Sequence, residues 1–266
     1  MRVVALIFFA WLIACASCAQ PKHEVLAQDT PAPAPTDDLR RRAEELWTAR
    51  RVRDCATLFN FRIPTPESEA DRAGYVEWCK ENEPFEIAEY TITATDAQPP
   101  WGWVRVAYRT RFRKVPDSPL ESVEIWDKWF HYQGQWYPVP TTAHRDYPEA
   151  PATRRADAES RVRDRFLAAW ELRRSRGWTE LYQLVDPQDR GSVPEAEYAR
   201  VEGLFDYLGR ELHWVEVVAD RGRVRVSYLH KSTDPNLTKL PTRTTVITEN
   251  WIERNGEWFI DLRPEQ

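Results

Sequence analysis

The sequence contains two copies of one unit, in four blocks that occur in the same order. The first block reads L-x3-A-x2-LW-x2-RR-x-R-x4-LF from Leu39 and V-x3-F-x2-AW-x2-RR-x-R-x4-LY from Val162. Tyr75 and Tyr198 keep the same offset of 123 positions. The last two blocks are segments 104–108 and 129–137, which match segments 224–228 and 251–259. Ordered matches of this kind predict a fold made of two similar units.

Each copy is predicted to begin with helices and to continue with strands. Apolar residues recur at i, i+4 and i+7/8 from Leu39 and from Val162, which indicates one face of an amphipathic helix. A second, short helix is predicted at 75–81 and at 195–207. Alternating β-branched and aromatic residues then predict strands at 86–95, 103–112, 122–132 and 135–139, and at 211–219, 223–230, 242–252 and 257–262. Gln133-Gly134 and Asn255-Gly256 have the composition of two-residue hairpin turns.

Helices followed by a meander of strands, in about 110 residues, predict an α+β unit with helices on one face of an antiparallel sheet. The terminal hairpin W-x4-G-x-W-[YF], at 129–137 and 251–259, and the long tryptophan-bearing first helix resemble the nuclear transport factor two-like superfamily. The resemblance implies two tandem cone-shaped domains, 38–147 and 156–266, of the cystatin-like α+β type. Its members include dehydratases, isomerases, ligand binders and non-catalytic adaptors, so the fold selects no function.

The N-terminus has the features of an export signal. Arg2 precedes an apolar run at 3–14, which is shorter than the about 20 residues of a transmembrane helix. Leu12-Ile13-Ala14-Cys15 resembles the bacterial lipobox, which implies removal of a signal peptide (1–14) and acylation of Cys15, for example with palmitate. The alternative is an ordinary secretory signal cut near Ser17-Cys18-Ala19.

The segment 15–37 has no apolar periodicity and contains alternating Pro and Ala, which predicts an extended tether. The expected location is therefore the cell envelope, with the chain lipid-anchored in the outer membrane and facing the periplasm where the host has two membranes.

Several function classes are disfavoured by composition and by the lack of motifs. A net charge of -5 provides no general attraction to nucleic acid, so no nucleic-acid partner is expected. The sequence contains no G-x-S-x-G, H-E-x-x-H, P-loop or G-x-G-x-x-G motif. None of the five histidines has the spacing of paired metal ligands. No metal site, cofactor or catalytic residue is assigned.

One titratable position recurs in both copies. Strand alternation puts Asp127 and Glu249 on the apolar face of equivalent strands, each two residues before a matched Trp. A carboxylate there should be paired or have a raised pKa. The matched cations of the first helices are Arg50, Arg51, Arg173 and Arg174. Three interpretations remain open: an ion pair that holds helix to sheet, a pocket acid or base, or two exposed groups. If the ion-pair interpretation is right, removal of Asp127 and removal of Glu249 should lower the stability of the chain by similar amounts.

Cys55 and Cys79 both lie in the first copy, and their counterparts are Trp178 and Glu202. An even pair of cysteines in an exported domain predicts a disulfide, with Cys18 left as a free thiol.

The expected function is non-catalytic, either binding of a small apolar ligand or participation in an assembly of envelope proteins. The alternative is a dehydratase- or isomerase-type enzyme that uses a carboxylate inside one cone.

Overall fold

The computed structural model describes residues 35–64, 71–234, 236 and 240–263, which belong to one compact unit. The predicted signal peptide, Cys15 and Cys18 lie outside the described residues. Within the described ranges, no helix is long and apolar enough to cross a membrane.

The first repeat contains three helices followed by four strands. They are α1 (Pro35–Val52), α2 (Cys55–Phe59), α3 (Arg72–Asn82), β1 (Phe85–Gln98), β2 (Trp101–Phe112), β3 (Glu121–Tyr132) and β4 (Gln135–Pro138). The strands form an antiparallel sheet in the order β1-β2-β3-β4. α1 begins inside the predicted tether, because Pro is favoured in the first turn of a helix and Asp37 and Asp38 follow it there.

A connecting segment with two short 3-10 helices (Thr141–Asp146 and Pro151–Thr153) leads to the second repeat. The second repeat has the same order of elements: α4 (Ala156–Ser175), α5 (Trp178–Tyr182), α6 (Glu195–Glu202), β5 (Phe205–Val218), β6 (Arg221–Ser232), β7 (Arg243–Arg254) and β8 (Glu257–Asp261). Its sheet has the order β5-β6-β7-β8. The predicted fold class, two tandem α+β units with helices on curved antiparallel sheets, is confirmed.

The helix predicted at 195–207 corresponds to α6, the third helix of the second repeat, and is shorter than predicted. α6 ends at Glu202, and Phe205 and Tyr207 pair with Ser232 and His230 at the start of β5. The pattern of apolar residues after Glu202 also suits a helix, but pairing with β6 satisfies the backbone of this segment, so tertiary structure overrides the local pattern.

The first strand of each sheet carries two irregularities at equivalent places. In β1 the register shifts after Ile87 and after Ile92, and in β5 it shifts after Tyr207 and after Leu212. A bulge bends its strand and increases the local twist. These matched bulges account for the curvature that lets each sheet wrap around its first helix.

The two hairpin turns have the predicted conformation. Gln133 and Gly134 have φ of 47° and 80°, and Asn255 and Gly256 have φ of 52° and 86°. Two consecutive left-handed residues define the type I′ turn, whose twist matches that of the flanking strands.

Each repeat buries the predicted face of its first helix against its own sheet. The buried positions are Leu39, Ala43, Leu46 and Trp47 in α1 and Val162, Phe166, Ala169 and Trp170 in α4. The start of α1 lies very close to β2, since a Cβ built on Gly102 would lie 2.6 Å from Leu39 Cδ2. Glycine at this position therefore allows the helix to approach the sheet.

Candidate functional site

Asp127 and Glu249 both lie in the space between the first helix and the sheet of their repeat. Both residues are buried, with an exposure of 8% each. β3 and β7 place these carboxylates next to the buried Trp129 and Trp251 two residues later, on the same face of the strand. The two interiors are nevertheless built differently.

In the first repeat, the main partner of Asp127 is a tryptophan. Trp47 Nε1 donates a hydrogen bond of 2.9 Å to Asp127 Oδ2, and Arg50 Nη1 lies 3.8 Å from the same oxygen. The Arg50 guanidinium is partly exposed and lies over the Trp47 ring. Burial raises the pKa of Asp127, while Arg50 and the indole hydrogen bond oppose that rise.

In the second repeat, the equivalent carboxylate forms a direct ion pair. Arg173 Nη1 lies 2.9 Å from Glu249 Oε1, and the Tyr228 hydroxyl donates to the same oxygen at 2.5 Å. The Arg173 side chain is only 5% exposed. Trp170, the counterpart of Trp47, stacks on the Tyr228 ring with the centroids 5.6 Å apart. Arg173 and Tyr228 thus bind the carboxylate in the second repeat, whereas Trp47 binds it in the first.

A second carboxylate, which sequence reasoning did not assign to this site, joins the second interior. Glu202 Oε2 lies 3.5 Å from Arg173 Nε and accepts a 2.7 Å hydrogen bond from the Tyr207 hydroxyl. Glu202 occupies the repeat position of Cys79, which is buried in the first copy. The comparison of the two copies held one clue to this contact, because Glu202 is an acid at a position where the first copy has an apolar residue.

The charges of the second interior are strongly coupled. Burial raises the pKa of Glu249, and Arg173 and Tyr228 oppose the rise. Burial alone would lower the pKa of Arg173, but Glu249 raises it well above its ordinary value. Burial, together with Glu249, also raises the pKa of Tyr228, which therefore stays neutral and acts as a donor. Glu249 Oε2 has no hydrogen-bond partner among the described residues.

Arg51 and Arg174 do not join these sites. Arg51 is exposed, with its guanidinium 5.8 Å from the centroid of the Tyr90 ring. Arg174 pairs with Glu171 on its own helix at 2.8 Å. Successive residues of a helix point about 100° apart, so one arginine of each pair faces the interior and its neighbour faces solvent.

The predicted disulfide between Cys55 and Cys79 is present, with the Cα atoms 5.9 Å apart. It joins the start of α2 to α3, and both cysteines are buried. No group of acids, histidines and cysteines within the described ranges is arranged to hold a metal ion.

Neither a family model nor a curated protein matches the chain. Among solved structures, it is similar to an Ntf2-like protein involved in plasmid conjugation, at 12% identity and a TM-score of 0.25, over 81% of this chain and 94% of that one. A SEC-C motif containing protein from Rhodopseudomonas palustris matches at 17% identity and a TM-score of 0.27, over 35% of this chain and 69% of that one. We draw no functional argument from TM-scores this low. The observed order of helices and antiparallel sheets agrees with the α+β fold class predicted from the sequence.

Proposed function

We propose that this chain is a non-catalytic adaptor of the bacterial cell envelope, anchored by a lipid on Cys15 and engaged in protein–protein binding through its two α+β units. The observation that carries this proposal is the engagement of both interior carboxylates by donors of the chain itself. Trp47 binds Asp127, and Arg173 and Tyr228 bind Glu249.

A catalytic acid or base must come within hydrogen-bond reach of a substrate proton. Trp47 and Arg173 instead connect the first helix of each repeat to its sheet. Because both residues are buried, these contacts favour a structural role for the interior of both units.

The envelope location rests on the sequence. Leu12 stands three residues before Cys15, as in the lipobox that the segment resembles, whereas Cys18 has Cys15 at that position. An exported chain also suits a disulfide, since disulfides persist in oxidising compartments.

A second candidate function is supported by one observation in the second repeat. Glu249 Oε2 has no partner among the described residues, and burial raises the pKa of this carboxyl group. A carboxyl group with a raised pKa is suited to proton transfer, as in a dehydratase or isomerase. This candidate requires a substrate that displaces or reaches past Tyr228.

Lipidation is tested by metabolic labelling with a fatty acid in cells that express the full chain. We expect the label in the wild-type protein and in Cys18→Ala, and its loss in Cys15→Ser. Label that survives Cys15→Ser would contradict the proposed anchor.

Complementation of a deletion strain separates the two candidate functions. An adaptor should function with Glu249→Gln, which removes the ionisable group but preserves the shape of the side chain, and should fail with Cys15→Ser. If Glu249→Gln is as stable as the wild-type chain and fails to complement, the enzyme candidate is favoured instead.

A further inference from the structure

A cleft of about 610 Å³ lies on the outer face of the second sheet, opposite the face that packs against α4. A row of directly paired residues crosses all four strands here: Glu216, Arg223, Asn250 and Asp261. Directly opposite residues of an antiparallel sheet share a face. The volume is in the range of ligand sites, about 300–1,000 Å³.

The equivalent face of the first sheet is occupied by this chain. Trp101, Trp103 and Lys128 are the repeat counterparts of Arg221, Arg223 and Asn250, as the strand registers show. These three residues hold the connecting segment between the repeats. Trp103 Nε1 donates to Pro148 O at 2.9 Å, Lys128 Nζ donates to Tyr147 O at 3.2 Å, and the Trp101 ring meets the Tyr147 ring edge to face.

The bound segment is extended where it crosses that face. Tyr147 and Ala150 have φ/ψ of -121°/146° and -59°/137°. Carbonyl oxygens of this stretch accept hydrogen bonds from side chains of the sheet below it. The outer face of the first sheet is therefore a binding surface for an extended peptide within this molecule.

The same connecting segment reaches only the near end of the row in the second sheet. The Glu149 backbone N–H donates to Glu216, and Arg223 Nη1 donates to Arg145 O at 3.0 Å. Further along the row, Asn250 Oδ1 is buried and has no partner in the part of the chain that the structure describes. An amide side chain can both accept from a peptide N–H and donate to a peptide carbonyl.

The two most exposed charged side chains that line the cleft are those of Arg221 and Arg263. The side chains of Arg221 and Arg263 are 54% and 44% exposed, whereas their partner Asp261 is only 4% exposed. Glu216 is buried as well, and the more exposed Glu149 is paired with Lys128 at 2.7 Å. An incoming ligand therefore meets these two guanidinium groups together with Glu149, which is 39% exposed, and with Asp220, which lies 4.0 Å from Arg221.

We propose that this cleft binds an extended acidic peptide segment of a partner protein, in the same way that the first sheet binds Tyr147–Glu149. The proposal rests on the adaptor function proposed above and names its docking site. Arg221 and Arg263 contact acidic side chains of the partner segment, and Asn250 binds its backbone.

The test uses a library of random nine-residue peptides displayed on phage, selected on the full chain. We expect Asp- and Glu-rich clones, whose synthetic peptides bind about tenfold more weakly to Arg221→Gln and to Asn250→Leu, the loss expected for one hydrogen bond or ion contact. Arg105→Gln, which removes a similarly exposed arginine from the outer face of the first sheet, is the matched control and should change binding less than about twofold. Thermal melts establish that each variant is folded.

Three results would overturn the proposal: clones rich in Lys or Arg, no clone that depends on Arg221 or Asn250, or displacement of the peptide by sulfate at matched ionic strength. The last result would indicate a site for single anions. If the cleft variants bind no selected peptide and still complement the deletion strain, this docking site is wrong and the adaptor function stands.

Discussion

Arg50 and Arg173 occupy the same position of the repeat, yet their side chains are 35% and 5% exposed. The difference comes from their neighbours. Glu202 and Glu249 both reach Arg173, whereas the first repeat has a cysteine in place of Glu202. Two carboxylates, the buried Glu249 and the partly exposed Glu202, stabilise the burial of the Arg173 guanidinium, while Arg50 has a single acid at 3.8 Å and stays near solvent.

Asp127→Ala and Glu249→Ala should therefore lower the stability by different amounts, whereas the sequence alone predicted similar losses. Glu249→Ala leaves a buried guanidinium short of a partner and should cost about 3–5 kcal/mol of unfolding free energy. Asp127→Ala mainly leaves the Trp47 indole N–H unpaired and should cost about 1–3 kcal/mol. Urea unfolding at neutral pH measures both, with the exposed Glu89→Ala as a control that should stay near wild type. Equal losses in the two variants would contradict this interpretation.

Stability should also depend on pH through Glu249. Because burial raises its pKa above the ordinary 4.5, the native state retains a proton that the unfolded state releases. The stability contributed by the protonated form is fully present below the ordinary pKa and is lost as pH rises through the raised one. Relative to Glu249→Gln, the wild-type chain should lose stability as pH increases above about 4.5.

The measurement is the urea midpoint of both proteins across pH 4 to 8. Asp127 and Glu216 also have raised pKa values and remain in both proteins, so they cancel in the comparison. A constant difference between the two midpoints would show that Glu249 does not titrate differently on unfolding.

At the scale of elements, the third helix of each repeat, α3 or α6, is attached to the other helices by different chemistry. In the first, the disulfide connects α3 to the start of α2. In the second, Glu202 at the end of α6 pairs with Arg173 of α4, and Trp178 takes the position of Cys55. The covalent bond and the ion pair thus share one repeat position, that of Cys79 and Glu202, but the disulfide joins the third helix to the second helix and the ion pair joins it to the first helix.

Removing the disulfide should weaken the first repeat. Its 24-residue separation corresponds to about 3 kcal/mol in the chain-entropy model. Urea unfolding of the double variant Cys55→Ala/Cys79→Ala should show a loss of this size, and reduction of the wild-type chain should reproduce it. Reductant should leave the variant unchanged. If unfolded, non-reduced wild-type protein exposes two more thiols than the variant, the bond does not form in solution.

At the scale of the whole molecule, the segment between the repeats is held by cations from both sheets. Lys128 of β3 is buried and donates to Tyr147 O, and Arg223 of β6 donates to the same oxygen at 3.3 Å. Arg225 of β6 also pairs with Asp146 at 2.9 Å. Shared partners of this kind couple the two repeats more tightly than a free linker would.

The coupling predicts one cooperative unfolding transition for the folded part of the chain, measured by scanning calorimetry. Lys128→Met removes a buried cation that donates to His144 O, Tyr147 O and Glu149 Oε1, so the transition should broaden or divide into two. The exposed Lys80→Met, which removes a surface ion pair, is the matched control and should unfold like the wild-type chain. A sharp, unshifted transition in Lys128→Met would contradict the coupling.

The sequence by itself determined the repeat, the order of helices before strands, the buried face of each first helix, the two hairpin turns and the disulfide, but it did not predict the short helices α2 and α5. These features depend on local periodicity, on turn residues and on the pairing of an even number of cysteines. The comparison of the two copies also identified Asp127 and Glu249 as equivalent positions.

Only the tertiary structure decided which groups meet these carboxylates and where a cleft remains. The contact between Glu202 and Arg173, and that between Glu149 and Glu216, join residues on different elements far apart in sequence. The matched bulges of β1 and β5 arise from strand pairing, which no local pattern encodes. Two copies with the same pattern can therefore differ in their interiors and on their outer faces, because one substitution at a long-range contact changes which partners can approach.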